Sequence, residues 1–241
     1  MWAELPLAVV VAVAFFVETI TGFGGTVVAV ALASFFVPVR EYLPAHVSVN
    51  ILLSSWIAVR DRASIDWSLL GRRVLPAMLL GFPLGAWAFS GLSEHARAFE
   101  AAFGAFVASV GAWRLLAPGR TLGPVAANGT LGLAGIVHGA FGTGGPMVVM
   151  AISRLGLDKH AFRATLSALG VVLSVGLLAV YAHDGVLGVQ SARTSVVLVP
   201  GLIVGLALGQ RVHARVDAGR FRRGVDATLT LAGLLILARN L

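Results

Sequence analysis

Two glycine clusters carry most of the chemistry this sequence offers. The first is Thr21-Gly22-Phe23-Gly24-Gly25-Thr26; the second, Gly142-Thr143-Gly144-Gly145-Pro146, repeats its glycine spacing 120 residues later, with proline where Thr26 stood. Glycine costs about 1 kcal/mol at a helical position and frees the backbone to turn, so each cluster predicts a helix broken in two. The second half-helix of each pair, starting near Thr26 or Met147, presents unpaired N–H groups and a positive dipole end, which bind an anion without a side-chain cation. Hydroxyls of Thr21, Thr26 and Thr143 add donors. The expected substrate-binding set is thus Thr21, Gly22, Gly24, Gly25, Thr26, Gly142, Thr143, Gly144, Gly145 and Pro146, together with His46 and Asn50. The plainer reading, a glycine corner without a ligand, explains two matched copies less well.

Glu18 is the only acid well inside the first of these segments, and His138 occupies its counterpart position 120 residues on. Ionisable groups inside a bilayer are costly and usually functional, which makes both proton-coupling candidates. The alternative is a protonated Glu18 bonded to the nearby break and a packed His138. His46 and Asn50, one helical turn apart, share a face and can offer donors to the same anion or bond between helices.

Other chemistries lack their residues. His95, His160, His183 and His213 are scattered without H-x3-H or HExxH spacing, so no metal site is expected. The chain has no cysteine, hence no thiolate ligand or cysteine nucleophile. There is no G-x-S-x-G element and no P-loop, and the Gly22 cluster does not follow a strand, which removes a dinucleotide fingerprint. No cofactor is expected.

These residues need elements to hold them. With 58% hydrophobic and 12% charged residues and a mean hydropathy of +0.90, 241 residues cannot hide their apolar surface in one soluble core. An all-α polytopic membrane protein follows. The net charge of +7 is carried almost wholly by arginines near segment ends, which suits membrane orientation and not nucleic acid. Glu4 precedes the first apolar run and no basic residue does, so a cleaved signal peptide is not expected. Pro6–Ile20 and Thr26–Val37 are each too short to span, while one straight helix across both would be about 48 Å long against a ~30 Å core. A re-entrant hairpin of two half-helices resolves this. Arg40–Pro44 reads as a turn, followed by full spans at Leu43–Val59, Val74–Leu92 and Phe99–Ala117, with a basic loop from Arg60 through Arg73. The second half repeats the plan: Gly129–Phe141 and Met147–Ser153 around the break, a basic turn holding Arg154, Lys159 and Arg163, then spans at Ala164–Ala182, Thr194–Gln210 and Gly224–Ala238. Pro76-x4-Gly81-x3-Gly85 echoes Pro200-x4-Gly205-x3-Gly209 at an offset of 124, which also suits ordinary close helix packing. Tryptophans 2, 56, 67, 87 and 113 fall mostly near segment ends, as interfacial anchors do.

Residues 1–120 and 121–241 therefore read as two repeats of one integral membrane domain, each a re-entrant broken-helix hairpin plus three transmembrane helices. Charge decides their relative hand. Inverted repeats put 14 of the 18 basic residues on one side of the membrane and four on the other; parallel repeats split them 10 to 8. The inverted arrangement is expected, with both termini outside the cell membrane and substrate near the midplane between the breaks, as in many secondary transporters.

Gly22-Phe23-Gly24-Gly25-Thr26, the loop Arg62-Ala63-Ser64-Ile65-Asp66-Trp67 and Gly142-Thr143-Gly144-Gly145-Pro146 together resemble the sulfite exporter TauE/SafE family of permeases, over nearly the whole chain. Where family members often carry a longer glycine run, Phe23 and Thr143 interrupt it here. The resemblance implies a permease, not an enzyme, moving sulfite or organosulfonate-type anions. An intramembrane enzyme needs a nucleophile that Glu18, His46 and His138 do not supply, and a non-transporting membrane subunit needs no polar midplane. The partners expected are a small anionic substrate and the lipid bilayer, with no nucleic acid; a homo-oligomer is compatible with this reading.

Overall fold

The structure, a computed structural model, describes residues 5–21, 24–92, 95–117, 122–152, 155–213 and 217–241. Among them the chain is helical with no strand. In hydrocarbon a backbone must satisfy its own polar groups, and a helix does so within one segment. Among the described residues five helical stretches are long and apolar enough to cross a bilayer: Val39–Arg60, Trp67–Gly91, Ala96–Leu116, His160–His183 and Val189–Val212. Their outward faces are apolar as well. Leu80 is 81% exposed and Val125 87%, which only a lipid surrounding tolerates over so much surface. The chain is an integral membrane protein.

Both glycine clusters interrupt helices. α1 (Leu5–Thr21) ends on the first residue of the first cluster and α2 (Gly25–Ala33) starts within it; α7 (Pro124–Phe141) ends just before the second and α8 (Gly145–Ile152) starts within it. Between the hairpins run α3 (Val39–Arg60), α4 (Trp67–Leu69), a π turn over Leu70–Val74, α5 (Leu75–Leu92) and α6 (Ala96–Leu116). After α8 come α9 (Lys159–His183), α10 (Val189–His213) and α11 (Ala218–Asn240).

Several boundaries differ from the sequence reading. Arg40–Pro44 is not a turn but the opening of α3; the turn lies just before Pro38, and Glu41 suits the positive end of the helix. Arg72 and Arg73 belong to the π turn, and Arg163 lies inside α9. Hydropathy marks where a helix is apolar, whereas backbone hydrogen bonding carries it on into charged residues. The expected span Gly224–Ala238 falls within α11, which is long but opens with Arg220, Arg222 and Arg223 and is not among the five.

The chain forms two compact units, each drawing on both sequence halves. The first gathers Met1–His46, Gly91–Gly119 and Val186–Leu241; the second, Val47–Ser90 and Arg120–Gly185. In the first, α1 lies against α10, and α6 against α11. Gly205 meets the Ala12 carbonyl with no room for a Cβ, and Gly104 and Gly233 face each other across α6 and α11. In the second, Gly81 and Gly85 on α5 meet the carbonyls of Gly132 and Ile136 on α7 in the same way. Small residues four apart are what permit such approach. Gly81 and Gly205 match at an offset of 124 and their partners Gly132 and Ala12 at 120, so the echoed glycines perform the same packing task.

The Arg62–Trp67 loop is anchored in the second unit. Ile65 is buried in its core, Asp66 accepts from the Leu69 amide at 2.8 Å to cap α4, and the Asp66 amide donates to Thr165 Oγ1 at 2.9 Å.

Candidate functional site

The first break turns on Gly24, whose φ of +90° is a left-handed conformation that glycine alone adopts without strain. The Gly24 carbonyl accepts from Val28 N–H at 3.2 Å, which leaves the amides of residues 25–27 at the open start of α2. α2 folds back on α1, and Gly25 lies directly against the Glu18 side chain and the Ala14 carbonyl. Glu18 is thereby held at the positive end of α2. Thr26 is half-buried; Gly22 and Phe23, and the side chain of Thr21, lie outside the described residues.

The second break is built differently. Gly142, at φ +65°, ends α7 and donates its N–H to the His138 carbonyl at 2.8 Å, a left-handed cap of the usual kind. Gly144 lies against the Ala134 carbonyl and the His138 side chain. Ala14 and Glu18 match Ala134 and His138 at an offset of 120, yet the glycine facing them shifts by one residue, from Gly25 to Gly144. Pro146 sits in the first turn of α8, where its missing N–H costs no helical bond. Thr143 is buried.

His138 is 8% exposed, and its Nδ1 accepts the Gly144 N–H in a long bond of 3.4 Å. His46 is buried too: its Nδ1 meets Tyr42 Oη at 3.2 Å, and the ring stacks on Tyr42 and on Phe15 of α1. Nε2 of each histidine is buried without a hydrogen-bond partner among the described residues. Asn50, one turn beyond His46 on α3, is half-buried. Glu18, Gly24, Gly25, Thr26 and His46 fall in the first compact unit; Asn50, His138 and residues 142–146 fall in the second.

Sequence reasoning missed four charged residues inside the first unit. Arg114 Nε meets Asp226 Oδ1 at 2.8 Å, and Arg239 Nη2 meets Glu100 Oε2 at 2.8 Å. Glu100 also accepts from the Val39 amide at 3.4 Å and from Asn240 Nδ2 at 3.3 Å. The signal was an acid and an arginine in each of two apolar segments, which demands a partner across helices. Tyr42 was missed as well, although its spacing to His46 and Asn50 is helical. Among the described residues no three His, Cys, Asp or Glu side chains gather as a metal site.

Comparison with known proteins bears on this arrangement. A probable inner membrane transporter protein TsaS from Comamonas testosteroni is 26% identical over 175 residues, which covers 70% of this chain and 72% of that protein. No solved structure matches significantly. The profile of the family described as "Sulfite exporter TauE/SafE" matches residues 7–236, a stretch that takes in both breaks, the Arg62–Trp67 loop and Glu18, His46, Asn50 and His138. A match of that extent on a helical membrane chain gives the relationship: this is a membrane transporter, and it belongs to the sulfite exporter TauE/SafE family.

Proposed function

We propose that the chain is a secondary transporter of small oxyanions, sulfite or an organosulfonate-type compound, bound near the membrane midplane at its two glycine breaks. The observation that carries this reading is the pair of interrupted helices at matched sequence positions in a TauE/SafE chain. α2 and α8, with 9 and 8 residues, are far short of the roughly 20 needed to span a bilayer, which favours re-entrant hairpins whose breaks lie at membrane depth. The matched packing of Gly81 and Gly205 favours a duplicated fold, and the arginine distribution favours inverted repeats with both termini outside and residues 60–73 and 211–223 in the cytoplasm. The relative's name, an inner membrane transporter, agrees with a place in the cell membrane.

Glu18 supplies a route to proton coupling. Its side chain lies at the start of α2, where a carboxylate and a substrate anion compete for one positive helix end. Protonation of Glu18 removes that competition, so a proton and an anion bind together. Reconstituted vesicles loaded with and without a pH gradient test this: sulfite is expected to cross chemically unchanged and to accumulate down the proton gradient. Chemically altered sulfite points to an enzyme, and no flux for sulfite or any organosulfonate ends the proposal.

A further inference from the structure

The second break has few amides to offer an anion. Met147 and Val148 both direct their N–H groups to the Gly144 carbonyl, at 3.1 and 3.2 Å. Gly144 gives its own N–H to His138 Nδ1, and Pro146 has none. From Gly144 to Val148 this leaves at most the Gly145 amide. The first break differs, because Thr26 keeps the N–H that its counterpart Pro146 lacks.

His138 makes up the difference. A neutral imidazole has one donor and one acceptor nitrogen. With Nδ1 accepting from Gly144, the hydrogen resides on Nε2, and among the described residues that buried atom has no partner. The ring is not free to swing toward another acceptor, since one edge is held by Gly144 and it packs against Phe82 with ring centroids 6.4 Å apart. A buried donor left unmade is costly, and such a group in a transporter, one helical turn from a broken helix, suits a ligand that comes and goes.

We propose that His138 is a substrate-binding residue whose Nε2–H hydrogen-bonds an oxygen of the transported oxyanion, in place of the backbone donors that Pro146 and the Gly144 bonds remove. It remains neutral throughout and carries no proton: a hydrogen on Nδ1 would set two N–H groups against each other at the Gly144 contact. His138 then serves the second break as a fixed neutral donor. This rests on the anion-transporter reading above.

The test uses full-length purified protein, sulfite as the probe, and two readouts: thermal stabilisation by sulfite and sulfite flux in vesicles. In His138→Gln the side-chain amide reaches the place of Nε2 and keeps a neutral donor. His138→Phe keeps an aromatic ring against Phe82 and has no donor. The expected result is a Kd within about threefold of wild type for His138→Gln and at least about tenfold weaker for His138→Phe, the loss of one hydrogen bond to a charged group. If the phenylalanine variant does not fold, His138→Asn, whose amide reaches only the Nδ1 place, replaces it with the same expected loss. Wild-type affinity in His138→Phe overturns the proposal and leaves the transporter reading standing. Equal weakening in both variants also overturns it, because the donor is then not what matters. A wild-type protein that neither binds nor carries sulfite or any organosulfonate overturns both readings together.

Discussion

Arg114 on α6 and Asp226 on α11 meet at 2.8 Å with side chains only 14% and 4% exposed. Two charges inside a membrane protein are tolerable as a pair and expensive apart, so the contact fixes how these helices dock. Asp226→Leu takes the carboxylate away from a buried guanidinium and is expected to lower stability by about 3–5 kcal/mol, while Arg114→Met/Asp226→Leu recovers most of it. Thermal unfolding in detergent measures both. A single variant as stable as wild type would show the pair to be incidental.

The paired helix approaches give a sharper contrast. A Cβ on Gly81 or Gly205 collides with a backbone carbonyl, which cannot swing away as a side chain can, whereas one on Gly129 meets nothing within 4 Å. Gly81→Val and Gly205→Val should each cost about 3 kcal/mol, roughly 6–12 °C in melting temperature. Gly129→Ala lies in a helix with open space and should match or exceed wild type. Equal melting temperatures for all three would disprove close packing as the role of the echoed glycines.

Those contacts also mark where the sequence stopped being readable. The breaks were legible because glycine declares itself at a left-handed φ, as at Gly24 and Gly142. Helix partners were not: α1 lies on α10 from the other half of the sequence, since small-residue surfaces choose a neighbour by shape and nothing in a local run of apolar residues names it. Glu18 and His138 were found by their offset. That His138 spends Nδ1 on Gly144 depends on a one-residue shift between the hairpins, which no spacing reveals.

At the breaks, two glycines fail for different reasons. Gly24 has open space but a φ of +90°, so any side chain there strains the backbone; Gly144 has an ordinary φ and no room beside Ala134. Both Gly24→Val and Gly144→Val should abolish uptake. Gly145→Ala has neither problem and should retain it. Uptake assays on protein shown to be folded decide, and normal transport by both valine variants removes the breaks from the mechanism.

Membrane orientation can be read from single introduced cysteines, because the chain has none of its own. Ala63→Cys and Ala218→Cys are both expected on the cytoplasmic side, protected from an impermeant thiol reagent in intact cells and labelled in permeabilised ones. A parallel repeat puts them on opposite faces. Labelling one and not the other in intact cells would therefore reject inversion.

The coupling role proposed for Glu18 makes the most specific demand. Because the side chain lies against Gly25 at the start of α2, a carboxylate there occupies the place that favours the substrate's negative charge. Wild-type anion binding should accordingly strengthen as pH falls and the carboxyl takes up a proton. Glu18→Gln keeps the shape and cannot titrate, so it should bind at least as tightly as wild type at low pH and lose the weakening at higher pH. The same variant should carry anion down its own gradient yet fail to accumulate it on a proton gradient. Binding and uptake measured side by side across pH separate these statements. Unchanged pH dependence in Glu18→Gln would leave the anion site intact and pass the proton to another group, whereas loss of binding at every pH would make Glu18 a structural support of the hairpin and not its coupling residue.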